Sequence, residues 1–213
     1  MNERQQASLE VLTEIRSMMH KSSRFLSLSG WSGIWAGITA LVASGVAYTI
    51  LYNQTTHYII DTTNVLMSEP VYTLVLLAII TFIVALSGAL FFTLRKNRKL
   101  GEATFTGAAR KLAVSMMIPM GAAACFVFSF IQNLHFDYIV PASLVFYGLT
   151  LINSSKYTFS DIRYLGLSEI IIGCIALFLP DMGLYLWAFG FGIMHIVYGT
   201  IMWFKYDRKV NRL

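Results

Sequence analysis

Hydrophobic positions along this chain do not alternate and do not form narrow stripes; they gather into six long runs separated by short polar segments. The runs are roughly Trp31–Leu51, Val71–Leu94, Leu112–Ile131, Pro141–Ile152, Gly166–Leu179 and Leu184–Phe204. A helix needs about 20 apolar residues to cross roughly 30 Å of hydrocarbon, so six spans consume most of the 213 residues. The pattern predicts an all-α membrane protein with six transmembrane helices arranged as three consecutive hairpins. A different pattern precedes them. Over residues 7–28, Leu9, Val11, Leu12, Ile15, Met18, Met19, Phe25 and Leu26 fall on one arc of a helix, with Glu10, Glu14, Lys21 and Arg24 opposite. That predicts an N-terminal amphipathic cytoplasmic or interfacial helix. The expected organisation is therefore 1–30 for this arm, 31–204 for the membrane domain and 205–213 for a basic tail.

Charge orients the spans. All sixteen Lys and Arg residues lie in 1–30, 95–111, 153–165 or 205–213, and none lies in 52–70, 132–140 or 180–183. Lys and Arg are retained on the cytoplasmic side of multi-pass proteins, so both termini are expected inside. A cell inner membrane is the expected location. The net charge of +5 is then topological, a set of basic flanks facing anionic lipid. Basic residues interleaved with aromatics on a soluble face are absent, which excludes nucleic acid as an expected partner. Membrane lipids are the expected partners.

Small residues mark expected packing sites. Gly33 and Gly37, with Ala36, Ala40 and Ser44, lie at four-residue spacing in the first span; Thr81, Ala85, Ala89 and Thr93 do so in the second. Such ladders let backbones approach where lipid provides no hydrophobic drive. Gly166 and Gly173, Gly183 and Gly190, and Gly192 and Gly199 are each seven apart, which predicts a close seam in the last hairpin. Pro119 lies inside the third span, frees the carbonyl near Ser115 and predicts a bend there. The broad arc of the arm and the ladders of spans one and two together predict a homodimer.

Ionisable residues within the runs are few. Glu169 and His195 are each thirteen residues from Met182 at the tip of the last hairpin, so at 1.5 Å per residue both lie roughly 20 Å from it. A lone acid near mid-membrane costs about 2.5 kcal/mol or more, so a partner is expected. The pair is read either as a structural hydrogen bond locking the hairpin or as a proton-linked or ligand-contact site. His20, His57 and His135 lie at or beyond span boundaries, which leaves too few ligands for a metal site or a bis-histidine haem in one subunit. Cys125 and Cys174 have no CxxC spacing and are read as small buried hydrophobes. No nucleophile elbow surrounds any serine. No cofactor, metal or catalytic residue is expected.

The segment Gly166-Leu-Ser-Glu-Ile-Ile-Ile-Gly-Cys-Ile-Ala-Leu-Phe-Leu-Pro180, with the run Gly190-Phe-Gly-Ile-Met-His-Ile-Val-Tyr-Gly199, resembles a hairpin unit of the HdeD-like acid-resistance membrane proteins. The resemblance implies six helices built as three hairpins and carries over no catalytic residue. It covers about 40 residues; the first two hairpins lack its glycine and proline pattern. The leading expectation is a non-enzymatic inner-membrane protein acting in membrane assembly or stress-linked interaction. The alternatives are a small transporter or channel with a proton-sensitive pathway at Glu169 and His195, and a lipid-, quinone- or haem-binding membrane protein.

Overall fold

The computed structural model describes residues 25, 28–52, 66, 69, 71–101 and 103–208. Almost all of the arm at 1–30 and of the 52–70 loop, and the tail beyond 208, lie outside the described residues. Six helices follow one another: α1 Gly30–Tyr52, α2 Val71–Leu100, α3 Gly107–Gln132, α4 Ile139–Ser154, α5 Ile162–Ala176 and α6 Pro180–Asp207. Among the described residues there is no strand. Five of the helices are long and apolar enough to cross a membrane, α4 counting with the single turn Phe136–Tyr138 before it. The fifth expected span, α5, has 15 helical residues, or about 22 Å, which is short of a full hydrocarbon thickness.

Consecutive helices pair as α1 with α2 and α3 with α4, but the tightest pairings are α4 with α5 and α1 with α6. This corrects the expected glycine seam between the last two helices. Gly166 faces the Gly148 carbonyl of α4, and Gly173 faces Leu144 and Val145 of the same helix. Gly192 and Gly199 face α1 instead, against Leu41 and against Gly30, Gly33 and Ile34. Gly190 alone turns toward α5, where it lies against Glu169. The reason is geometric. A glycine stripe packs against whichever helix can bring its own backbone close: α1 sets Gly30, Gly33 and Gly37 opposite Gly199 and Gly192, and α4 sets Gly148 opposite Gly166.

The first-span ladder is therefore filled from within the chain. A methyl group at Gly37 would lie 2.6 Å from the Gly192 carbonyl, and one at Gly33 would lie 3.0 Å from Gly199 Cα. That removes Gly33 and Gly37 as support for a homodimer. On the opposite side of α1, Trp35 lies against Gly88 and donates from Nε1 to the Val84 carbonyl at 3.0 Å, which joins α1 to α2. Within α3 the Ser115 carbonyl, left without its helical donor by Pro119, accepts from Asn153 Nδ2 of α4 at 3.0 Å. Cys125 and Cys174 are exposed on the outside of the bundle, not buried, because each lies on a face of its helix that no neighbour covers among the described residues.

The basic end of α6 ties three elements together. Asp207 Oδ2 accepts from the Gly30 amide at 2.8 Å and from Ser29 Oγ at 3.1 Å, so it caps the first turn of α1. Its other oxygen lies 2.8 Å from Lys96 Nζ of α2. Two residues earlier, Lys205 donates to Asp161 just before α5 at 2.5 Å, and Tyr206 donates to the same carboxylate at 2.9 Å. The Lys205 hydrogen bond, reinforced by Tyr206 and opposed by partial desolvation, holds the Asp161 carboxyl below its ordinary value. A depressed acid stabilises the fold above its unfolded value and loses that contribution as pH falls through the folded one. Asp161→Asn should thus lower the melting temperature at neutral pH and have no effect at strongly acid pH, as thermal unfolding across a pH series will record.

The glycine contacts give a sharper test. Gly199→Ala places a methyl group 2.6 Å from the Ile34 amide nitrogen and 2.7 Å from the Gly30 carbonyl, both backbone atoms that cannot step aside. Overpacking of this kind costs about 1–3 kcal/mol. Gly45→Ala meets nothing within 4 Å and should be neutral or stabilise by up to about 1 kcal/mol through helix propensity. Thermal unfolding in detergent should separate the two variants in that order.

Candidate functional site

Glu169 and His195 meet. Glu169, in the middle of α5, is completely buried, and His195 of α6 is 5% exposed. The imidazole Nδ1 lies 3.4 Å from Glu169 Oε1 and 3.2 Å from the Gly190 carbonyl, toward which its geometry is that of a hydrogen bond. One ring nitrogen thus has two oxygen neighbours. Neither carboxyl oxygen of Glu169 has a hydrogen-bond partner among the described residues. The acid is packed rather than solvated: a methyl group at Gly190 would lie 2.5 Å from Glu169 Oε2 and 2.7 Å from Leu144 Cδ2.

The local form of α6 produces this arrangement. Between two α-helical stretches, Gly183–Trp187 and His195–Met202, the segment Ala188–Met194 is a π-helical turn. Such wide turns appear mostly as single insertions and often at functional positions. Gly190 and Gly192 lie within it, and the wide turn brings the Gly190 carbonyl back to the ring of His195, five residues on.

A third residue completes the set, and the hairpin reasoning missed it. Tyr147 of α4 has its hydroxyl 2.8 Å from His195 Nε2. Its ring also lies 5.3 Å, centre to centre, from the imidazole, and the Phe191 ring lies 5.0 Å from Tyr147. The signal was present in the chain. Ser143, Tyr147, Thr150 and Ser154 recur on one face of α4 at helical spacing, and Thr150 and Ser154 are almost fully buried. Three helices therefore each contribute one group to a line running Glu169, His195, Tyr147. With a neutral imidazole the tyrosine O–H donates to Nε2; with an imidazolium the direction reverses, and Nε2–H donates to the phenol oxygen. A single proton added to this line changes which atoms donate without any change of neighbours.

The remaining glycines of the sequence reading, Gly33, Gly37, Gly173 and Gly199, are backbone contacts between helices and do not touch this line. His135 is exposed beside Tyr138 at the opposite end of α3. A second polar centre, also missed, is the Lys96–Asp207 pair with Ser29 at the basic end. In the sequence these residues look like ordinary flanking charges. No family model, curated protein or solved structure matches the chain.

Tyr147→Phe and His195→Leu should each reduce thermal stability, and the double variant should lose less than the sum of the two. The shortfall is expected near 0.6–1 kcal/mol, the size of a hydrogen bond inside a membrane bundle. Additive losses would mean that the hydroxyl and the ring do not interact.

Proposed function

We propose that this chain is a multi-pass inner-membrane protein with both termini at the cytoplasmic face, acting without catalytic chemistry in membrane assembly or stress-linked interaction. The observation that carries the membrane reading is the outer surface of α2. None of its most apolar 18-residue window is buried, and Ile79, Ile80, Phe82, Ile83 and Leu86 are all exposed. Water would tolerate a patch of that size poorly, whereas lipid is its natural solvent. The orientation rests on the placement of Lys and Arg. α2 also supports the assembly half of the proposal, since among the described residues the face of that helix turned away from α1 is uncovered and is available to a partner or a second copy.

The Glu169–His195–Tyr147 line supports a role as an internal lock between α4, α5 and α6, sensitive to protons because a protonated imidazole reverses the direction of the Tyr147–His195 hydrogen bond. The enclosure of Glu169 favours a lock over a pathway. One feature favours the second reading, a proton-sensitive transporter or channel: a completely buried acid whose oxygens lack donors among the described residues, beside a π-helical turn. The two differ in access. A pathway admits water or a small reagent to Glu169; a lock does not.

Topology is tested by cysteine labelling after both native cysteines are replaced by alanine. Asp181→Cys, at the exposed tip between α5 and α6, should react in intact cells with an impermeant thiol reagent, and Phe105→Cys should not. Phe105 is 91% exposed in the α2–α3 connection and so reports faithfully, whereas Asn97 in the same basic region is 1% exposed. Labelling in the reverse sense would overturn the orientation.

A further inference from the structure

Beside the Lys96–Asp207 pair, α1, α2 and α6 enclose an open cleft of about 440 Å³, walled by Trp31, Phe92 and Trp203 and edged by Arg95 and Lys99. The geometry points to a binding site for the phosphate headgroup of an anionic glycerophospholipid, with an acyl chain lying along the aromatic wall. This rests on the membrane reading proposed above.

Three features argue for that ligand class. First, the charges are partitioned. Lys96 is engaged by Asp207 at 2.8 Å and the Leu28 carbonyl at 2.9 Å. Among the described residues no carboxylate lies within ion-pair distance of Arg95 or Lys99, which are one helical turn apart on α2. Second, the acid in the cleft does not repel an anion with a free charge. Asp207 is matched by Lys96 on one oxygen and by the Gly30 amide and Ser29 hydroxyl on the other. Third, the wall continues away from the bases. Phe92, one turn before Lys96, lies 6.3 Å from the Trp31 ring and 6.2 Å from the Trp35 ring. This aromatic column descends from the charged end along the α1–α2 contact. A free phosphate would use the bases and leave the column unused; a lipid uses both. Tryptophans at the headgroup level with bases above them suit such an amphiphile.

The test uses the full chain in a zwitterionic detergent and measures quenching of tryptophan fluorescence by brominated phosphatidylglycerol, brominated phosphatidylcholine and, as competitor, inorganic phosphate. Selective quenching by the phosphatidylglycerol is expected. R95Q/K99Q should weaken it about thirtyfold, as the loss of two interfacial bases implies. R110Q/K111Q makes the same charge change at the exposed start of α3 and should leave it unchanged. Both substituted pairs are exposed side chains, and circular dichroism checks that each variant keeps its helix content. Equal loss in the two double variants would reduce the effect to general surface charge and overturn the proposal, as would equal quenching by the two lipids. Displacement of the lipid by millimolar phosphate would overturn the lipid assignment in favour of a phosphate site. Alkaline carbonate extraction separates this from the underlying reading: a chain released into the supernatant is not integral to the membrane, whereas a retained chain without lipid selectivity sinks only the cleft.

Discussion

The close approach of α1 to α6 is the constraint on which the rest of the bundle depends. Gly30, Gly33 and Gly37 of one helix meet Gly192 and Gly199 of the other, with backbone atoms where side chains would ordinarily be. No other pairing in the chain joins its first helix to its last. In the lipid proposed to surround the bundle, helix association brings little hydrophobic gain, and van der Waals contact between smooth backbones supplies the attraction instead. Once α6 is held against α1, the orientation of its remaining faces is set. One face turns His195 inward to Tyr147 and Glu169, and the basic end brings Asp207 under the first turn of α1.

Both polar centres of the protein are consequences of that closure, and they handle charge differently. At the basic end Asp207 is matched by a cation, a backbone amide and a hydroxyl, so an ion pair is stable there. In the middle of the bundle Glu169 has a ring nitrogen at 3.4 Å and no donor in hydrogen-bond geometry among the described residues. A group left this poorly matched costs stability that packing elsewhere must offset. Retaining it is intelligible if its response to protons is useful, since protonating the imidazole reverses the Tyr147–His195 hydrogen bond that bridges α4 and α6 beside it. The α6 π-helical turn serves the same centre, because it supplies the carbonyl that competes with Glu169 for the ring N–H.

The number of helices was legible in the runs of apolar residues, because each run is bounded by polar segments, but their lengths were less so, running from 15 residues in α5 to 30 in α2. The equal depth of Glu169 and His195 followed from counting back along two helices from a short turn. Pro119 told of a carbonyl in need of a donor, though not that Asn153 would provide it. What the sequence did not reveal was rotation about each helix axis. Gly192 and Gly199 could face either neighbour, and only packing against Gly30, Gly33 and Gly37 decides between α5 and α1. Tyr147 was hidden for the same reason: a tyrosine in an apolar run is an ordinary residue until its helix is turned toward His195. Asp207 lay beyond the last apolar run, where a carboxylate among basic residues gives no sign that it caps a helix 177 positions away.

The central claim, that α6 closes the bundle against α1, is tested most directly by cross-linking at the end remote from the shared glycines. Tyr48 of α1 and Tyr185 of α6 have ring centres 6.4 Å apart. In a chain whose native cysteines are replaced by alanine, Tyr48→Cys with Tyr185→Cys should be joined rapidly within one polypeptide by a short thiol cross-linker in native membranes. Pairing Tyr48→Cys with Phe178→Cys, at a position 83% exposed just past α5, should give little product, since α1 packs on α6 and not on α5. No product between 48 and 185 would mean that α6 does not close against α1, and would contradict the account.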